Sequence, residues 1–321
     1  LYGDGSGLTG LAGWVPTTGS DGTGNLYAGT CAGEDSDSDT AYNIAVGLWA
    51  GKELNAGDDN VFLGSYAGSC ATTSGCSVFL GYKAGKKLNA SQNVVVGPLA
   101  AFNTECSLSY SVIIGRLAGC EITGNASDAI LIGTEAGAKL GNFSNTIALG
   151  KNAGRYLSGS YNIVFGNHAG QGTLSGGGAH NFFAGHYSGL NHTSASGNIA
   201  IGRKSAYVLA TGLCNVMIGV EAGRASGSSY NVMIGLQAGC KASETDGVFI
   251  GKYAGKEATS HGKSIMIGCE AGRCACVADS SIFIGKEAGK HACNSSHGNL
   301  FIGSAAGKGS STLTNVQGDN N

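Results

Sequence analysis

An apolar triplet followed by Gly-x-x-Ala-Gly recurs 17 times along this chain. Val61-Phe62-Leu63-Gly64-Ser65-Tyr66-Ala67-Gly68 and Val232-Met233-Ile234-Gly235-Leu236-Gln237-Ala238-Gly239 are two of the copies. The first glycine of each copy, taken as position 0, falls at 29, 47, 64, 81, 97, 115, 133, 150, 166, 185, 202, 219, 235, 251, 268, 285 and 303. The steps are 16 to 19 residues, with a mean close to 17. A unit this short cannot enclose a core by itself and must stack on its own copies. The expected fold is therefore all-β: a parallel β-solenoid of about 17 coils rather than a string of globular domains. Residues 25–308 form the repeat domain. Residues 1–24 read as an N-terminal cap or linker, and residues 309–321 as a polar tail. At ~4.8 Å per coil the stack would run roughly 80 Å.

Composition agrees with the repeat. Of 57 glycines, 17 occupy position 0 and 15 occupy position +4, so glycine is punctuation here rather than a mark of low complexity. Only Pro16 and Pro98 interrupt the supply of backbone donors. Charged residues make up 12% and the net charge is −2, which argues against nucleic acid as a partner. No apolar run approaches the ~20 residues that a membrane-spanning helix needs. The chain begins at Leu1 and shows no signal peptide, so it reads as processed or as a fragment.

Each coil can be read position by position. Position −4 is Asn in ten copies and Ser in four more, residues that suit a corner and could ladder from coil to coil. Positions −3 to −1 form a short strand. The glycines at 0 and +4, among them Gly64, Gly68, Gly81, Gly85, Gly235, Gly239, Gly251 and Gly255, allow tight bends. Ala fits at +3 where the coil is narrow. A second, weaker strand is expected at +5 to +8, where +7 is often Leu or Ile. If −3 and −1 point into the coil, period-two alternation turns −2 outward. That position carries Phe62, Phe79, Val95, Ile113, Leu131, Val164, Phe183, Met217, Met233, Phe249, Met266, Phe283 and Phe301, none of them charged. A strand apolar on both faces is buried on both faces, so an outward stripe would pack on copies of the chain, in a trimer or a filament.

Eleven cysteines suggest disulfides and an oxidising, extracellular setting, with Cys70–Cys76 and Cys276–Cys293 as candidate pairs. A zinc site is a poor fit, because Cys274-Ala-Cys276 is tight and the other thiols are scattered. Asn89, Asn125, Asn142, Asn191 and Asn294 each begin an Asn-x-Ser/Thr triplet in the variable corner, where a glycan would project outward. The histidines between 168 and 192 occupy different repeat positions and read as surface residues. Glu135, Glu221, Glu270 and Glu287 share position +2, with basic residues at +1 and +5 to neutralise them. No catalytic, cofactor-binding or metal-binding set emerges, and no enzyme activity is expected.

The Asn-x-Val-x-Ile-Gly-x-x-Ala wording, as in Asn198-Ile199-Ala200-Ile201-Gly202, resembles the head repeats of trimeric autotransporter adhesins over residues 25 to about 307. That resemblance implies a left-handed parallel β-roll with three chains side by side. Gly3-Asp4-Gly5-Ser6-Gly7-Leu8-Thr9 resembles a phrase preceding such repeats in phage tail-fibre-like and bacterial surface fibre proteins. Repeats in adhesin heads are shorter and poorer in cysteine, so larger corner loops are expected here. The function expected is a structural extracellular fibre or filament segment, a stiff spacer or adhesin-like appendage that meets copies of itself and a cell-surface or glycan ligand. The alternatives are a single-chain subunit stacking end to end and an ice- or glycan-binding solenoid. The first would expose sheet edges that need caps. An ice-binding face calls for a Thr-rich ladder that the sequence lacks. A left-handed β-helix acyltransferase would need its hexapeptide three times per coil, and here the phrase occurs once.

Overall fold

The computed structural model describes residues 24–36, 39–104, 108–173, 177–209, 211–259, 262–277, 280–294 and 298–309. Nearly all of the expected N-terminal cap and of the polar tail, and Cys106, lie outside them. The described chain is an all-β parallel solenoid with no helix. It divides into two units, residues 1–144 and 145–321. Seven triplet strands stack in the first and ten in the second.

Within each unit neighbouring triplets pair in parallel and in register. Val61, Phe62 and Leu63 face Val78, Phe79 and Leu80; Val232, Met233 and Ile234 face Val248, Phe249 and Ile250. Hydrogen bonds run between coils. The Val61 N–H donates to the Ser77 carbonyl at 2.8 Å, and the Gly81 N–H to the Leu63 carbonyl at 2.8 Å.

The strand faces are opposite to the sequence expectation. The −2 column lies inside: Phe62, Phe79, Val95, Ile113 and Leu131 in the first unit, and Val164, Phe183, Met217, Met233, Phe249, Met266 and Phe283 in the second, are fully buried. Phe301, in the last described coil, is half-buried. These residues are the core of their own solenoid, not an outward stripe. Phe62 stacks on Phe79 with ring centroids 4.9 Å apart, and Phe283 on Phe301 at 5.2 Å. Residues −3 and −1 point outward instead.

The −4 column accounts for this phase. Asn43, Asn60, Asn93, Asn162, Asn181, Asn198, Asn215 and Asn231 are buried, and −2 shares their side of the strand. Their side-chain oxygens accept from the −4 backbone N–H one coil on: Asn60 N–H to Asn43 at 3.0 Å, Asn198 N–H to Asn181 at 3.0 Å, Asn215 N–H to Asn198 at 2.9 Å. Their amide nitrogens donate to carbonyls of the next coil, as Asn60 does to Ser74 at 2.6 Å. The expected ladder exists, and a dry interior is where such hydrogen bonds contribute most. The coil of Gly251 has Gly247 at −4. There the buried Glu244 takes over, its Oε1 accepting from the Ser264 N–H at 3.0 Å.

The segment after position 0 is two successive turns. The Ala67 N–H closes on the Gly64 carbonyl at 3.1 Å and the Ala71 N–H on the Gly68 carbonyl at 3.0 Å. The second turn occupies part of the stretch expected as a strand. The second strand of the coil begins at +10 or +11 in the first unit, at Leu108–Ser109, Ala126–Ser127 and Phe143–Ser144, and at +8, the end of the expected stretch, in Cys276–Val277 and Cys293–Asn294 of the second. Leu54, Leu88, Ile122, Leu140, Leu157 and Leu209 at +7 do point into the core.

Gly at 0 has φ near 130°, a region that only glycine enters readily, and its missing Cβ leaves room for backbone. A Cβ on Gly64 would lie 2.7 Å from the Gly81 carbonyl oxygen, and one on Gly235 2.6 Å from that of Gly251. Gly at +4 has a different task. A Cβ on Gly85 would meet the Phe79 ring at 2.6 Å, and one on Gly239 the Met233 sulfur at 2.5 Å. It makes room for the −2 side chain of its own coil. The two copies with Ala at +4, Ala101 and Ala206, are coils whose −2 residues are the smaller Val95 and Ala200.

Candidate assembly face

With −2 inside, each triplet presents −3 and −1 to its outer side, and every one of these residues is apolar. In the first unit they run from Leu26 and Ala28 to Ile130 and Ile132; in the second, from Ile147 and Leu149 to Leu300 and Ile302. None is buried. Ile199 is 40% exposed, Ile201 38% and Ile250 36%. Register sets them in two straight columns per unit. Over the ten strands of the second unit, with roughly a third of an aliphatic side chain bare at each position, the face is on the order of 1,000 Å². Soluble monomers ordinarily show no apolar patch above about 600 Å².

The face has aromatic margins. Tyr42, Tyr110, Tyr161 and Tyr230 at −5 are more than half exposed. On the other margin of the first unit Trp49 and Tyr66 meet edge to face at 5.2 Å, with Lys52 over Trp49 at 5.0 Å. Most charge lies at the +1, +2, +5 and +6 corner, where basic residues at +1 and +5 are expected to neutralise the +2 glutamates. Arg116 pairs with Glu135 at 3.6 Å and Lys139 with Glu121 at 3.4 Å between coils, and Arg273 with Glu270 at 3.3 Å within one coil. The Lys290 ammonium holds the Glu270 carboxyl below its usual range against the opposing push of burial, and Arg273 adds a lesser pull.

The candidate cysteine pairs are not bonded. Cys70 and Cys76 are free thiols, as are Cys276 and Cys293. Cys276 and Cys293 do stand in register on paired strands, as their 17-residue spacing predicts. Burial, and then the neighbouring Cys276 thiol, push the Cys293 thiol up. Among the described residues no three His, Cys, Asp or Glu side chains are grouped to hold a metal ion, and no helix is long and apolar enough to cross a membrane. Asn89, Asn125, Asn142 and Asn191 are exposed. The side-chain oxygen of Asn89 accepts from the Thr72 N–H at 2.6 Å and that of Asn142 from the Asn125 N–H at 2.9 Å. Asn294 begins its triplet in the second strand of its coil.

The four histidines between 168 and 192 do not form one cluster. His180 stacks on Tyr161 at 4.9 Å, and His168 bonds Gln171 at 2.7 Å. His192, expected on the surface, is wholly buried at +7 beside Phe183, its Nδ1 2.9 Å from the Gly189 carbonyl oxygen. Burial holds its imidazolium form well below the ordinary range. A solvent-open concavity of about 370 Å³ on the first unit is lined by Glu53, Cys70, Thr72, Lys87 and Asn89, side chains that form no catalytic pair or triad.

No protein-family model matches the chain, and no curated protein matches it in sequence.

Proposed function

We propose that this protein is a structural, non-enzymatic fibre segment of an extracellular or virion surface, in which copies pack side by side through the −3/−1 face. The observation that carries this reading is the unbroken apolarity of both outward columns. A face that stays in water is expected to place polar residues there, and antiparallel or solvated sheets do so. A second copy is the partner whose ridges repeat at the same ~4.8 Å spacing, so its side chains interdigitate along the whole length. The resemblance to adhesin heads adds three as the expected number of chains and the cell surface as the place. Inter-coil ladders and a continuous −2 core make each unit a stiff spacer, and the exposed corner loops are its variable, ligand-facing part.

The test separates the two faces of the strand. Ile201→Lys with Ile218→Lys, both outward, is expected to keep the circular dichroism spectrum and reduce the mass by light scattering to that of one chain. Phe249→Asp with Phe283→Asp, both inward, is expected to unfold the chain. A wild-type mass of one chain at every concentration tested would overturn the proposal.

A further inference from the structure

One stretch of the second unit breaks the charge pattern of its own corner. Elsewhere +2 is repeatedly glutamate, tied to arginine or lysine on the same or a neighbouring coil. Between Glu135 and Glu221 the sequence contains no Asp or Glu at all, yet it carries Lys139, Lys151, Arg155, Arg203, Lys204 and four histidines. The coils of Gly166, Gly185 and Gly202 place His168, Tyr187 and Lys204 at +2, His186 and Arg203 at +1, and Tyr207 at +5.

These side chains form one continuous surface. His168 stacks on Tyr187 at 5.1 Å, His186 lies against Tyr187 at 4.0 Å, and Tyr187 meets Tyr207 edge-on at 6.2 Å. Lys204 sits over the Tyr207 ring at 5.5 Å. His186 and Arg203 are exposed, and the others are half-exposed. The first carboxylate beyond the stretch, Glu221, is already engaged by Arg224 at 3.3 Å and by the Gln237 amide at 2.8 Å.

We infer that this corner is a binding surface for an acidic polysaccharide, carboxylated or sulfated. Aromatic faces offer apolar area to the C–H faces of sugar rings, and their OH and NH groups meet hydroxyls. The guanidinium of Arg203 and the ammonium of Lys204 recognise carboxylate or sulfate, Arg203 in a two-pronged manner. Coils ~4.8 Å apart repeat at about the length of one pyranose ring, so successive rings meet successive sugars. Of the five lysines and arginines of this stretch Lys139 is paired with Glu121, and the remaining four are too few for nucleic acid, whose binders engage about 6–10 phosphates. The inference is independent of self-association, which uses a different face.

The test is affinity electrophoresis of the full chain in native gels containing alginate, dextran sulfate or neutral dextran. Alginate or dextran sulfate, or both, should retard the protein, and neutral dextran should not. Arg203→Glu with Lys204→Glu should abolish retardation. Tyr187→Ala, and separately Tyr207→Ala, should weaken it about tenfold with no change of charge, while Lys286→Glu on a distant coil leaves it intact. The inference is overturned by the absence of retardation in both polyanions, by full retention in both tyrosine variants, or by tighter binding to oligo(dT) than to either polysaccharide.

Discussion

At the scale of single residues this chain accepts backbone strain in a regular way. Position +2 is left-handed in all 17 copies, with φ of 53–62°, from Cys31 and Trp49 to Glu287 and Ala305. Position −5 is left-handed as well, from Tyr42 and Asp59 to Ser280. Neither column contains a single Val, Ile or Thr, whereas +1 holds Thr30, Pro98 and Val220. Branching at Cβ makes positive φ costly, and Pro98 stands where a type II turn prefers it. The left-handed residues point their N–H groups along the axis, as Lys83 does to the Ser65 carbonyl at 2.9 Å. Tyr110 is largely exposed with φ 57°, so little packing obscures the effect. Tyr110→Val should destabilise by about 1–2 kcal/mol in denaturant melts, and Tyr110→Gly should be neutral or stabilising. His192 is a second residue-scale case. Its folded pKa lies below the ordinary 6.5, so the unfolded chain takes up the proton first. Stability is complete above pH 6.5 and declines as pH falls from there towards the depressed value. Its Nε2 has no hydrogen-bond partner, and the +7 residues Leu157 and Leu209 are leucine. His192→Leu should therefore raise stability by about 1 kcal/mol at pH 7 and remove this part of the acid sensitivity, measured by melts at pH 7.5 and 5.

At the scale of the coil, the two glycines of the repeat are not equivalent. Gly85→Ala pushes a methyl into the Phe79 ring, so shortening that ring should rescue it. Gly85→Ala alone is expected to cost about 2 kcal/mol or more, and Gly85→Ala with Phe79→Val to recover part of the loss, as measured by a double-mutant cycle. Gly81→Ala meets the Gly97 carbonyl carbon and oxygen at 2.8 Å and has no such partner to shorten. Much of the coil is legible in the sequence: the strand, both bends, the apolar +7 column and the Asn ladder all stand where their spacing puts them. The facing of the strand is not. A triplet apolar at −3, −2 and −1 has no alternation to read, so periodicity could not choose a side. Two signals were nevertheless present. Asn at −4 shares parity with −2, and alanine replaces the +4 glycine only where −2 is valine or alanine. The second strand starts at the end of its expected stretch in the coils of Cys276 and Cys293 and two or three residues beyond it in the first unit, because the apolar +7 residue points inward from a turn.

At the scale of the whole molecule the question is what covers the outward columns. If copies do, melting depends on concentration, because association stabilises by mass action. The wild type should gain several degrees in melting temperature over a hundredfold rise in concentration, and Ile201→Lys with Ile218→Lys should melt at one temperature throughout. The cysteines bear on the same scale. Cys276 and Cys293 are neighbours by register but reduced in this structure. Mass spectrometry of the protein from its natural compartment should show whether they lose two hydrogens.

The sequence by itself determined that the chain is a stack of parallel coils, where each coil bends, and that its strands are apolar on both sides. Those properties follow from local chemistry repeated at a fixed step: glycine where φ is positive or backbone is close, asparagine where a side chain must bridge coils, and branched apolar residues where a strand forms. Only the tertiary structure decided which side of the strand is core and which is surface. That choice rests on contacts across the coil, between the −2 side chain and the +4 glycine and along the buried asparagine column, and a one-residue shift of facing exchanges core for surface at every coil.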